Sequence, residues 1–193
     1  MRVDVATSHR EYDGFFKLDK AILRYERSDG RMSEPVERLV FERGDSVAVL
    51  LYEPERRMVV LVEQFRYPAY LREGCSARLL EVVAGSVDGG RSADAVARDE
   101  VAEEAGYSLE RMRHITTFYP SPGACSERIH LYLGYVSGRE RVGPGGGKAE
   151  EGEDTHVVEM PLKEALRRVK EGAIRDAKTI IALQYLALWG END

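Results

Sequence analysis

Two apolar runs stand out along the chain, residues 46–52 (SVAVLLY) and 58–65 (MVVLVEQF), separated by the polar stretch Glu53-Pro54-Glu55-Arg56-Arg57. Their β-branched content and the turn between them predict a hairpin. Residues 79–83 (LLEVV) read as another short strand, and residues 114–119, 128–136 and 155–160 as three more. Nearer the start, Phe16, Leu18, Ala21, Leu23 and Tyr25 alternate with polar residues. Ser28-Asp29-Gly30-Arg31 follows, and Asp-Gly readily takes positive φ in a turn. Residues 14–43 are therefore expected to be strands of a small N-terminal β unit. A two-stranded unit is marginal by itself, so it must pack on the main domain or on a partner chain.

The helical period appears later. Ala97, Val101 and Ala105 recur every four residues behind Ser92, a good N-cap, with Asp94 in the first turn and Gly106 as a stop. Residues 84–90 (AGSVDGG), just before, are a loop by composition. Pro161 opens a second helix, in which Leu162, Ala165, Leu166 and Val169 line one face and Gly172 ends the run. Asp176 caps a third, to about Trp189, with apolar residues on most sides (Ile180, Ile181, Leu183, Leu186, Leu188), the pattern of a well-buried helix. The glycine-rich residues 143–147 read as the most flexible stretch of the chain. The sum is a mixed sheet with about three helices, hence α+β or an α/β/α layer arrangement. Domain boundaries are expected at 1–43 for the β unit and 44–193 for the main body.

Charge and cysteine content narrow the function classes. Across 193 residues, 28 Lys and Arg face 34 Asp and Glu, a net charge of −6. That argues against a nucleic-acid partner, whose phosphates call for cations, but not against a small phosphorylated ligand, for which a few arginines suffice. No apolar run approaches the roughly 20 residues of a membrane span, and the N-terminus lacks a signal-peptide stretch. Two cysteines, Cys75 and Cys125, offer no disulfide framework. These features point to a cytoplasmic protein with no membrane partner. The four histidines, at 9, 114, 130 and 156, lack metal-ligand spacing and read as structural.

The chemistry concentrates in residues 85–107 (GSVDGGRSADAVARDEVAEEAGY). On a helix, Glu100, Glu103 and Glu104 fall within an arc of about 100°. Such a face is either simply solvated or a site for a hard cation, since carboxylate oxygens suit Mg²⁺ or Mn²⁺. The segment resembles the Nudix box, Gly-x5-Glu-x7-Arg-Glu-U-x-Glu-Glu-x-Gly-U with U aliphatic. Gly85, Glu100, Val101, Glu103, Glu104 and Gly106 match at the right spacing. Arg91 stands where the first glutamate is expected, Asp99 where the arginine is expected, and Tyr107 replaces the last aliphatic residue. The first two departures exchange charge sign, so an Arg91–Asp99 pair would keep the box's structural ion pair with polarity reversed.

The resemblance extends over roughly residues 12–190. Residues 60–67 (VLVEQFRY), 121–128 (SPGACSER) and 150–154 (EEGED) are similar to segments of the ADP-ribose and nucleotide-sugar pyrophosphatases, and residues 171–179 (EGAIRDAKT) to the branch that hydrolyses GDP-mannose. It implies a Nudix fold, an α/β/α sandwich on a mixed sheet with a small N-terminal antiparallel β unit. It further implies Mg²⁺-dependent hydrolysis (with Mn²⁺ as a substitute) of a nucleoside diphosphate sugar, of the GDP-mannose or ADP-ribose class, to a nucleoside monophosphate and a sugar phosphate. Glu100, Glu104 and the Ala84 carbonyl would ligate metal, with Glu103 a ligand or its neighbour. Glu151 or Glu153 would be the general base, Glu151 favoured by position. Gly85, Arg66 and Lys178 would meet the substrate phosphates, Arg66 by its planar fork. Glu127 would meet the sugar or assist a metal, and Phe15 would stack on the base. The implied assembly is a homodimer exchanging the N-terminal unit. Arg91 and Asp99 keep a second reading open, a Nudix-fold module that binds a nucleotide sugar without hydrolysing it. A nucleoside triphosphate-sanitising enzyme is a third reading, disfavoured by the long SPG loop.

Overall fold

The computed structural model describes residues 1–74, 77–148, 150 and 152–190. The chain forms two compact units, residues 1–44 with 119–128, and residues 45–118 with 129–193.

The first unit is a three-stranded antiparallel sheet in the order β1 (Val3–Asp13), β2 (Lys17–Tyr25), β3 (Val36–Glu42). Strand β1 lies ahead of the expected strands. All of its residues are exposed, so no buried face impressed an apolar alternation on its sequence. The expected turn forms, with Gly30 at φ +78° and Glu26 bridged to Met32. The returning segment 119–128 runs beside β3: Phe41 N–H donates to the Ala124 carbonyl at 2.7 Å and Ser126 Oγ to Glu42 Oε2 at 2.5 Å.

In the second unit, strands β4 (Ser46–Glu53) and β5 (Met58–Phe65) form the expected hairpin. Helix α1 (Tyr67–Glu73) follows, then β6 (Arg78–Glu81), β7 (Val83–Ser86), β8 (Arg111–Phe118), β9 (Ile129–Tyr135) and β10 (Thr155–Pro161). The sheet runs β10-β5-β4-β9-β8, with β6 on β5 and β7 on β4. The β4–β9 pair is parallel, which makes the sheet mixed. Strand β4 is central and buried from Ser46 to Tyr52. Ala48, Leu50 and Tyr52 face one core with helices α3 (Leu162–Lys170) and α4 (Ala177–Trp189). Val47, Val49 and Leu51 face the other, with helix α2 (Ala93–Glu100). A strand buried on both faces reads as a continuous apolar run, and the two cores define the α/β/α layers.

Three expectations are corrected. The LLEVV run is two strands broken at Val82: β6 pairs with β5, then β7 switches to β4 and carries Ala84–Ser86, read above as loop, into the sheet. Helix α1 was hidden because none of its residues is buried, leaving no apolar stripe. Helix α4 buries only one side, with Leu188 64% and Trp189 54% exposed. Among the described residues no helix is long and apolar enough to cross a membrane.

Candidate active site

The Ser92 Oγ accepts the Ala95 N–H at 3.3 Å and starts α2 as its sequence predicts. The helix does not remain α to Gly106. From Val101 to Ala105 it widens into one π-helical turn, closed by Gly106 at φ +73°. Such turns recur at functional sites. Two of its carbonyls are claimed from outside, that of Glu104 by Gly146 N–H at 2.9 Å and that of Glu103 by Gly147 N–H at 3.2 Å. Gly145, Gly146 and Gly147 have φ of +72°, +116° and +77°, which L side chains rarely adopt. The stretch expected to be flexible is instead a strap bonded to the helix end.

The widened turn places two carboxylates against β7. Glu104 is buried, and its Oε2 accepts the Ala84 N–H at 3.2 Å. Glu100 lies over Gly85, where an added Cβ would sit 2.1 Å from its Oε1. Burial pushes the Glu104 carboxyl up to about 8, with the Glu100 and Glu153 charges adding to the rise against the pull of the Ala84 N–H and Arg66. Glu103 pairs with Lys148 Nζ at 2.9 Å. Glu153 accepts the Lys148 N–H at 2.9 Å. Glu151 lies outside the described residues, as does Cys75.

Beside the acids is a cationic pair that sequence reading placed only separately. Arg66 grips Glu81 with one edge of its fork, Nε to Oε1 at 2.6 Å and Nη2 to Oε2 at 2.8 Å. Lys178 reaches the same carboxylate at 2.5 Å and Asp176 at 2.9 Å. Burial pushes Glu81 up, but the two cations outweigh it and hold the carboxyl below its ordinary range. Glu81 was missed. Its one signal is a charge inside an apolar strand, LLEVV.

Arg91 and Asp99 form the expected ion pair. Phe15 and Glu127 belong to the first unit. Phe15 is 90% exposed and edge-on to Phe16 with ring centroids 4.7 Å apart, while Glu127 is buried with Arg43 at 3.5 Å.

Among the described residues no three His, Cys, Asp or Glu side chains gather into a metal-holding cluster. The donors nevertheless suit a hard divalent cation. Two carboxylates converge beside Ala84 and Gly85, and carboxylate oxygens are the donors such a cation prefers. Burial drives a proton onto Glu104 and the Glu100 charge adds to it; a bound cation would offset both.

Residues 42–183, which hold this strand, glycine and carboxylate-bearing helix, match the NUDIX domain, and the chain belongs to that family. It is similar to the ADP-ribose pyrophosphatase of Escherichia coli, 39% identical over 186 residues, 96% of this chain and 88% of that one. It is also similar to the GDP-mannose pyrophosphatase of Cronobacter sakazakii, 37% identical over 181 residues, 94% of this chain and 93% of that one. The fold is like that in the crystal structure of an ADP compounds hydrolase, with a TM-score of 0.74 and 17% identity, covering 100% of this chain and 97% of that one. The protein is a hydrolase acting on pyrophosphate bonds, and such hydrolases generally need a divalent metal.

Proposed function

We propose that the protein hydrolyses the pyrophosphate bond of a nucleoside diphosphate sugar, of the ADP-ribose or GDP-mannose class, giving a nucleoside monophosphate and a sugar phosphate. The observation that carries this reading is the convergence of Glu100 and the buried Glu104 on Ala84–Gly85. Both carboxylates and the Ala84 carbonyl would hold Mg²⁺, with Mn²⁺ as substitute. A bound divalent ion polarises phosphoryl oxygens and lowers the pKa of bound water.

The chain's own residues do the rest. Arg66 and Lys178 offer N–H donors to the diphosphate. Gly85 lets Glu100 close against β7, since any side chain there would displace the carboxylate. Lys148 holds Glu103 at the rim of the acidic group. Glu151 or Glu153 takes the proton as water oxygen bonds to phosphorus and the bridging P–O bond breaks. Glu127 meets the sugar and Phe15 the base. The exposed apolar residues of the first unit, among them Val3, Val5 and Leu39, support a homodimer formed through that unit, in the cytoplasm.

The substitutions that motivate a binding-only module are accommodated, since Arg91 and Asp99 pair. The test is turnover of ADP-ribose, GDP-mannose and UDP-glucose with Mg²⁺, beside Glu104→Gln. One substrate cleaved to a nucleoside monophosphate, with a nearly dead variant, is expected. No turnover of any with Mg²⁺ or Mn²⁺ would overturn the reading.

A further inference from the structure

Glu81 is 2% exposed and lies at the end of β6, outside the carboxylate pair and the proposed substrate contacts. Three elements meet on its carboxylate. Arg66 comes from the end of β5, Lys178 from the first turn of α4, and Glu81 itself from β6. The start of α4 is fixed to the strand break next door: Thr179 Oγ1 accepts the Val82 N–H at 2.8 Å and donates to Asp176 Oδ2 at 2.6 Å. A buried carboxylate carries a large desolvation cost, so an ion group of this kind seldom adds stability over apolar packing. Its physical effect is orientation.

The donor arithmetic shows what is oriented. A guanidinium has five N–H donors and an ammonium three. Arg66 commits one edge of its fork to Glu81, which leaves the opposite edge for an anion. Lys178 gives donors to Glu81 and Asp176 and keeps one more. Without the carboxylate between them the two cations would repel, and each flexible stem would lose its fixed direction.

We infer that Glu81 is a positioning residue that holds Arg66 and Lys178 together as a two-cation clamp for the substrate diphosphate. This inference rests on the function proposed above. Glu81 touches no substrate; it presets two residues that do.

The clamp grips the substrate phosphates about equally before and during the reaction, so disturbing it acts mainly on KM. Glu81→Gln keeps the shape and removes the charge. It is expected to raise KM at least tenfold while kcat stays within threefold of wild type. Glu81→Asp, which restores the charge on a shorter stem, is expected to recover part of that rise. In an Arg66→Ala background, Glu81→Gln is expected to raise KM by a much smaller factor than in wild type, because the residue it positions is gone. A merely structural role would instead lower kcat and act equally in both backgrounds, and that result overturns the clamp. So does an unchanged KM in Glu81→Gln while wild type is active, an outcome that leaves the proposed function standing. If wild type cleaves no nucleotide sugar, the proposed function fails and the clamp with it. Should Glu81→Gln not fold, Glu81→Asp decides alone: a KM raised at least threefold with kcat kept supports the clamp, and a wild-type KM overturns it.

Discussion

Arg91 and Asp99, eight residues apart, meet in an ion pair that joins the loop entering α2 to the last turn of that helix. The pair reverses the charges that the Nudix box pattern places at these positions. Both side chains are about half exposed, 48% and 55%, so the contact is worth little, about 0.5 kcal/mol. Arg91→Asp sets two acids against each other and is expected to destabilise the protein by about that amount or slightly more. Adding Asp99→Arg is expected to restore stability in urea melts. A single variant as stable as wild type would show that the pair contributes nothing.

The raised Glu104 carboxyl makes metal-free stability depend on pH. In the unfolded chain this group titrates near its ordinary 4.5, and in the folded protein at about 8. Between those values the folded state holds the extra proton, so stability falls as pH rises through the window and levels off above it. The loss is of the order of a few kcal/mol, since each unit corresponds to about 1.4 kcal/mol. Thermal melts in a chelator from pH 4.5 to 9 are expected to show that decline. A divalent cation is expected to flatten it, and its affinity to rise with pH as the competing proton leaves.

Glu104→Gln separates stability from activity. Removing a buried charge that the Ala84 N–H and Arg66 only partly offset is expected to raise the metal-free melting temperature at pH 8 and to abolish most turnover. A destabilised variant at that pH would contradict the account of the site's electrostatics.

Gly85→Ala tests close approach. The new methyl would lie 2.1 Å from Glu100 Oε1, so the carboxylate must move. Turnover is expected to fall at least a hundredfold and to recover partly at high metal concentration, with a fold that circular dichroism cannot distinguish from wild type.

Gly106→Ala tests the strap. Position 106 combines φ +73° with a Cβ site 2.2 Å from the Gly143 carbonyl oxygen. Left-handed backbone costs an alanine roughly 1–2 kcal/mol, and the clash forces the strap to shift. A loss of about 2–3 kcal/mol in denaturant unfolding is expected, the largest among these single variants.

Periodicity carried the elements that bury one face or two. The β4–β5 hairpin, the capped α2 and the amphipathic α3 were legible for that reason. Strand β1 and helix α1 bury nothing, so their sequences record no pattern. The break at Val82 was invisible because it depends on β6 and β7 choosing different neighbours, which no local window contains. At the site, Glu100, Glu104, Arg66 and Lys178 were named from the sequence, largely through family resemblance. Glu81 was not, because its meaning arises only when β5, β6 and α4 converge.

The π-helical turn makes the site sensitive to the number of residues as well as to their chemistry. Each residue of an ordinary helix turns the chain by about 100°. Removing the exposed Ala102 would let the backbone close into regular i→i+4 bonds and keep every carboxylate in the sequence. Glu100 and Glu104 would then stand only three residues apart, about 60° around the helix, and the spacing that sets both acids against Ala84 and Gly85 would be lost. A pattern search tolerant of one missing residue would score that shortened helix as intact, although its two acids no longer had the spacing that fits them to β7.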